Sequence, residues 1–225
     1  MTDFTEGKGD GARQQILCAA SRHFAVMPYS QVNLDDIVNA ADVTKGVLYT
    51  HFRSKLALAT ALVEHQLEVA WDIGAKRIAL GLDGLEAMID CAYLIAAADV
   101  SHHLTRAAVN LLESVGRFDG LQVRVAQNWV QTFNDIAKRG VAEGDIRPEC
   151  DTEHVSRLLT SLYLGVRQTS NLDDAEQFIG DFEAVLLLAL PGFANPDRLA
   201  YLTSFVKRRS ALAIKNAAPL GANKL

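Results

Sequence analysis

Cysteine is scarce and irregularly spaced. Cys18, Cys91 and Cys150 are the only three in 225 residues, a pattern that suggests neither a disulfide framework nor a zinc motif, and they read as reduced thiols. Long hydrophobic runs are missing as well. The longest apolar block near the end, AVLLLAL at 184–190, is far short of the roughly 20 residues of a membrane span, and no charged-then-apolar leader opens the chain. We therefore expect a soluble, cytoplasmic protein that touches no membrane. β-Branched runs bounded by hairpin dipeptides are absent, which argues against a sheet. The histidines, His23, His51, His65, His102, His103 and His154, form no H-E-x-x-H and no carboxylate-backed cluster, and there is no nucleophile elbow. His102 and His103 are adjacent, so on a helix they diverge by about 100° and cannot chelate one metal. No catalytic residue, metal or cofactor is expected.

What is present is helical. Apolar residues recur at spacings of three and four, and 49% of the chain is apolar, enough for a buried core. An all-α fold follows. Residues 1–10, rich in Gly, Asp, Thr and Lys, read as a mobile tail. A first helix over 12–26 carries Ile16, Ala20 and Phe24 on one stripe and stops before Pro28. Asn33 caps a short second helix by accepting from the backbone N–H of Asp36, with Val32 and Ile37 in staple positions. Thr44 caps a third, flanked by the Val43 and Leu48 staple, and Ser54 opens a long fourth. Further helices are expected at 84–99, 102–116, 120–143, 152–170, 173–190 and 196–215, separated by Gly-, Pro- and Asn-bearing segments.

Two short capped helices across a tight turn make a helix-turn-helix, whose second helix enters the DNA major groove by its N-terminal end. The stretch ADVTKGVLYTHFRSK (41–55) has a glycine in the opening turn of that helix, where it costs roughly 1 kcal/mol relative to alanine. With Leu48 and Phe52 turned inward, Gly46, Thr50 and Arg53 face outward, and Lys45 and Tyr49 lie on the flank. The missing side chain lets bases and phosphates come close, and the helix start favours a phosphate oxygen. Asn33 and Lys55, at the starts of the neighbouring helices, are placed to touch the DNA backbone and set register. The formal net charge is −5, yet residues 11–60 hold Arg13, Arg22, Lys45, Arg53 and Lys55 against Asp35, Asp36 and Asp42. A basic head on an acidic body is consistent with double-stranded DNA as partner.

These residues carry a resemblance. FAV…NLDDIVNAADVTKGVLYTHFRSKLALATAL, over about residues 12–62, resembles the DNA-binding head of the TetR family of bacterial repressors: a V-[ST]-K-G helix start, then L-Y-x-x-F, then a Ser-Lys opening of helix four. The resemblance implies a homodimer whose head, 11–59, binds operator DNA. It also implies a divergent domain, 60–225, that binds a small-molecule effector and dimerises through its last long helices. Thr44, Lys45, Gly46, Tyr49 and Lys55 match the family's usual contact positions. His51 aligns too but lies nearer the buried side. The Pro28-Tyr29 pair departs from the pattern, in which a glycine usually precedes the aromatic.

In the larger domain, Trp71, Tyr93, Trp129, Phe133, Tyr163 and Arg167, with Asn128, Thr132 and other polar neighbours, suit a pocket for a mostly apolar molecule, or else a plain core. The layout LTRAAVNLLESVG, a short loop, then a tryptophan-bearing helix is similar to the γ-butyrolactone autoregulator receptors, a TetR branch. Sensing of lipophilic drugs or acyl metabolites, and DNA binding without a ligand, are the alternatives. For the dimer, Val155, Leu158, Leu159 and Leu162, with Phe178, Phe182, Val185 and Ala189, form two apolar faces that would pair with a symmetry mate as a four-helix bundle.

Overall fold

The computed structural model describes residues 8–78, 81–82, 84–117 and 120–220, with side chains from residue 11 onward except at 70–78. Residues 1–7 of the expected tail and the side chain of Trp71 lie outside the described residues. The described residues form ten α-helices: α1 (Lys8–Val26), α2 (Leu34–Ala40), α3 (Lys45–His51), α4 (Lys55–Ile78), α5 (Gly84–Ser101), α6 (His103–Ser114), α7 (Leu121–Ala142), α8 (Thr152–Thr169), α9 (Ala175–Ala189) and α10 (Pro196–Asn216). The fold is all-α, and from α5 onward each helix end falls within two residues of its expected place. The first helix starts earlier than expected, at Lys8.

The chain divides into two compact units. The first runs to Ala70 and takes in residues 103–123, so it is larger than a head ending at residue 59. In it α1 packs against α2, α3 and, most extensively, α6. Ile16, Ala20 and Phe24 of α1 are buried, as are Ile37, Leu48, Phe52, Leu58 and Leu62. Side-chain hydrogen bonds help tie α6 into this unit. Asn110 Nδ2 donates to the carbonyls of Phe24 and Ala25 at 3.0 and 3.2 Å, covering the last turn of α1, where helix carbonyls lack internal partners. Gln66 of α4 donates to Thr105 Oγ1 at 3.1 Å.

The second unit, residues 71–102 and 124–225, is built around α5. Leu85, Met88, Ile89 and Ala96 of α5 share a core with Leu159 and Tyr163 of α8, Phe178, Phe182 and Leu186 of α9, and Leu202 and Val206 of α10. At the start of α5 a Cβ on Gly84 would run into the backbone of Ile136 and Gly140 on α7; only glycine permits that approach. The Glu143 carboxylate accepts the Gly84 N–H. A polar seam joins α5 to α10, where Tyr201 meets Glu86 and Arg209 meets Asp90.

This packing corrects half of the expected dimer set. Val155, Leu159, Phe178 and Phe182 are buried in their own protomer's core, because α8 and α9 turn their larger apolar stripes toward α5 and one another. Leu162, Val185 and Ala189 are only partly covered. Leu158 is 40% exposed, and Leu188, outside the expected set, is 83% exposed.

Candidate nucleic-acid interface

The helix-turn-helix is assembled by local hydrogen bonds. Asn33 Oδ1 accepts from the backbone N–H of Asp35 at 3.1 Å, one residue earlier than expected, since the side chain reaches N2 rather than N3. Thr44 Oγ1 accepts from Val47 N–H at 3.3 Å. Between these caps, Asp42 takes the left-handed conformation, φ 52°, which Asp tolerates better than most side chains. Leu48 and Phe52 are 0% and 3% exposed and pin one side of α3. Lys45, Gly46, Tyr49, Thr50 and Arg53 are left facing solvent.

The outward side chains differ in freedom. Tyr49 is 48% exposed. At Gly46 an added Cβ would meet only Thr44 Oγ1, at 3.8 Å, so nothing within the fold requires the glycine. Thr50 Oγ1 donates to Gly46 O at 2.9 Å. His51 is half-buried, its ring tilted against Phe52 at 6.3 Å. Lys45 reaches back to α2: its Nζ lies 2.7 Å from Asp35 Oδ1 and donates to Oδ2 at 3.0 Å. That hydrogen bond, followed by the carboxylate's charge, raises the ammonium's pKa.

Lys55 has a role the sequence did not suggest. Its Nζ donates to the carbonyls of Tyr29 and Val32 at 2.6 and 2.7 Å and sits 4.4 Å from the centre of the Tyr29 ring. Desolvation lowers its pKa. The residue placed as a DNA-backbone contact is therefore first a clamp on the α1–α2 loop. Tyr29 stacks on Phe24 with ring centres 5.8 Å apart, which anchors the loop that carries the Pro28-Tyr29 departure. Asn33, Asp35, Lys45, Tyr49 and Lys55 line one shallow groove.

The expected effector residues separate into groups. Tyr93 and Tyr163 both set an edge against Phe182, at 5.3 and 6.0 Å. Burial pushes the Tyr93 hydroxyl up in pKa. Tyr163 and Arg167 converge on Asp99, which no sequence motif marked: the tyrosine hydroxyl donates to Oδ2 at 2.8 Å, and Arg167 Nε to the same oxygen at 2.6 Å. Trp129, Thr132 and Phe133 on α7 are half-buried, and the Phe133 side chain packs against the core. Asn128 is exposed, a correction to its place in a pocket wall: helical geometry turns it away from Trp129 toward solvent.

Residues 16–62 match the family model described as bacterial regulatory proteins, tetR family. These residues form a TetR-family N-terminal domain. Among its relatives is the A-factor receptor protein of Streptomyces griseus, 24% identical over 192 residues; the match covers 84% of this chain but 66% of the receptor. Full-length TylP, a TetR regulator of Streptomyces fradiae, superposes with a TM-score of 0.70 at 26% identity, over 91% of this chain and 96% of that one. CprB of Streptomyces coelicolor, solved with its operator, has a TM-score of 0.76 at 22% identity, over 92% of this chain and all of that one; at that identity the likeness is one of fold. Among the described residues no helix is long and apolar enough to cross a membrane.

Proposed function

We propose that this chain is a cytoplasmic, non-enzymatic repressor that binds a pseudo-palindromic operator as a dimer and is released by a small, mostly apolar effector of the γ-butyrolactone class. The observation that carries the DNA-binding half is the outer face of α3. Leu48 and Phe52 hold it rigid from below, and it presents Lys45 and Tyr49, one turn apart, beside a glycine with open space above it. Such a face suits a helix that must approach base edges and phosphates. The A-factor receptor and the similarity to butyrolactone receptors support the effector class.

The test begins with selection of duplexes from a random pool by the purified full-length protein, followed by addition of synthetic γ-butyrolactones to the bound complex. Release at micromolar lactone supports the proposal; indifference to lactones, with release by acyl-coenzyme A or lipophilic drugs, would reassign the effector. Tyr49→Ala should weaken binding of the selected duplex by about 1 to 3 kcal/mol. Its exposure means that the melting temperature should stay within a degree or two of native, and a change in affinity below about twofold would remove Tyr49 from the interface.

Assembly has its own readout. The uncovered faces of α8 and α9 combine Leu158 and Leu188 with the small residues Gly165, Gly180 and Ala184, a surface on which helices of a symmetry mate can pack closely. Leu188→Glu should leave the protomer folded and raise the dimer dissociation constant at least about 30-fold, the equivalent of about 2 kcal/mol. Sedimentation across a concentration series measures this, and an unchanged dimer would move the interface elsewhere.

A further inference from the structure

The ion pair between Asp35 and Lys45 stands on the surface just described, and a plain phosphate clamp does not account for it. Lysines that only grip phosphate gain from an uncompensated charge. Here the ammonium is shared by both oxygens of a carboxylate, at 2.7 and 3.0 Å. The two side chains remain 51% and 58% exposed, Asp35 and Lys45 respectively. Both line the groove that Tyr49 also borders. Any duplex close enough to meet Lys45 must also meet Asp35, whose negative charge is repelled by every phosphate. A carboxylate in that position weakens binding to DNA at large.

We infer that Asp35 is a specificity-determining residue, acting with Lys45 as one reader of a G·C base pair in each half-site. The major-groove edges supply the match. Guanine presents the acceptors N7 and O6, which suit the ammonium; cytosine presents the N4 amino donor, which suits a carboxylate. The Lys45–Asp35 pair offers a donor beside an acceptor, the complement of that edge. Adenine also sets an acceptor, N7, beside an amino donor, N6, but it offers the ammonium one acceptor where guanine offers two. Asp35 thus rewards an amino donor beside purine acceptors, an edge that G·C meets best, while its bond to Lys45 fixes where the ammonium points.

The inference rests on the reading of this chain as a DNA-binding repressor, and selection from a random duplex pool separates the two. Native protein, Asp35→Ala and Lys45→Ala, all full length, are each used to select and sequence bound duplexes, and each is titrated with the native consensus and a scrambled duplex. Both side chains are solvent-exposed, so the variants should fold as native by circular dichroism. The expected result is a G·C requirement at one position per half-site that both variants relax about tenfold or more, with other positions unchanged. Asp35→Ala should also bind the scrambled duplex more tightly than native. An unchanged consensus with specific and scrambled affinities shifted by one common factor overturns the role given to Asp35 and leaves DNA binding standing. Failure of the native protein to enrich any sequence overturns both.

Discussion

Gly46→Leu is expected to leave a folded protein that no longer holds its operator. The structural side is nearly free of cost: an added Cβ finds only Thr44 Oγ1 at 3.8 Å, an ordinary contact, and the helix gains up to about 1 kcal/mol from losing a glycine. The melting temperature should therefore be unchanged or raised. On the DNA side, a branched side chain of four carbons would stand beside Lys45 and Tyr49 on the outer face and hold α3 off the groove floor. Hydrogen bonds to bases fail once donor and acceptor part beyond about 3.5 Å, so several contacts go together. A loss of at least about 100-fold in affinity, near 3 kcal/mol, should result. Gel shift with the native protein's selected duplex, beside a thermal melt, reads both halves. Binding within about threefold of native would mean that another face of α3 meets the DNA.

How far the sequence could be read divides by the range of the interaction. Asn33, Thr44 and Ser54 act within three residues of themselves, so capping and the inward turn of Leu48 and Phe52 were legible from spacing. Lys55 was not, because its acceptors lie 26 and 23 residues away on the α1–α2 loop. Nor was the pairing of Lys45 with Asp35, two charges that spacing alone assigns to separate helix starts. Periodicity also cannot tell an apolar stripe that meets its own core from one that awaits a partner. Phe178 and Phe182 were therefore expected at the dimer contact and lie inside the protomer, while Leu188, on the same helix, stands exposed. Asp99 shows the remaining limit. An aspartate in an apolar stretch, AAADVS, was the available signal of a buried polar partner, but nothing local named Arg167, 68 residues on.

Asp99→Ala is expected to be among the most damaging single substitutions in the larger unit. The side chains of Asp99 and Arg167 are 0% and 3% exposed. Nε reaches Oδ2 at 2.6 Å and Nη2 reaches Oδ1 at 3.3 Å, while Tyr163 donates to Oδ2 at 2.8 Å. Removal of the carboxylate takes a counter-charge from a buried guanidinium and an acceptor from the tyrosine, a change that costs about 3 to 5 kcal/mol. Against a typical total of about 5 to 15 kcal/mol, that is a large share, and a fall in melting temperature of roughly 6 to 20 °C should follow. Protomer concentration must be held fixed in the comparison, since a dimer's melting point depends on it. The double variant Asp99→Ala with Arg167→Met separates charge from packing. Exchange of both partners for apolar groups is often close to neutral, so much of the loss should return, and the cycle gives the coupling directly. A single-variant cost below about 1 kcal/mol, or a double variant as damaged as the sum of the singles, would show that the pair does not neutralise itself in the core. The outcome also bears on the effector. Arg167 was expected to anchor a ligand's polar group, but its guanidinium already grips a carboxylate along an edge. That edge is not available to a ligand's acidic group while Asp99 holds it, whereas an uncharged, mostly apolar effector need not break the pair at all.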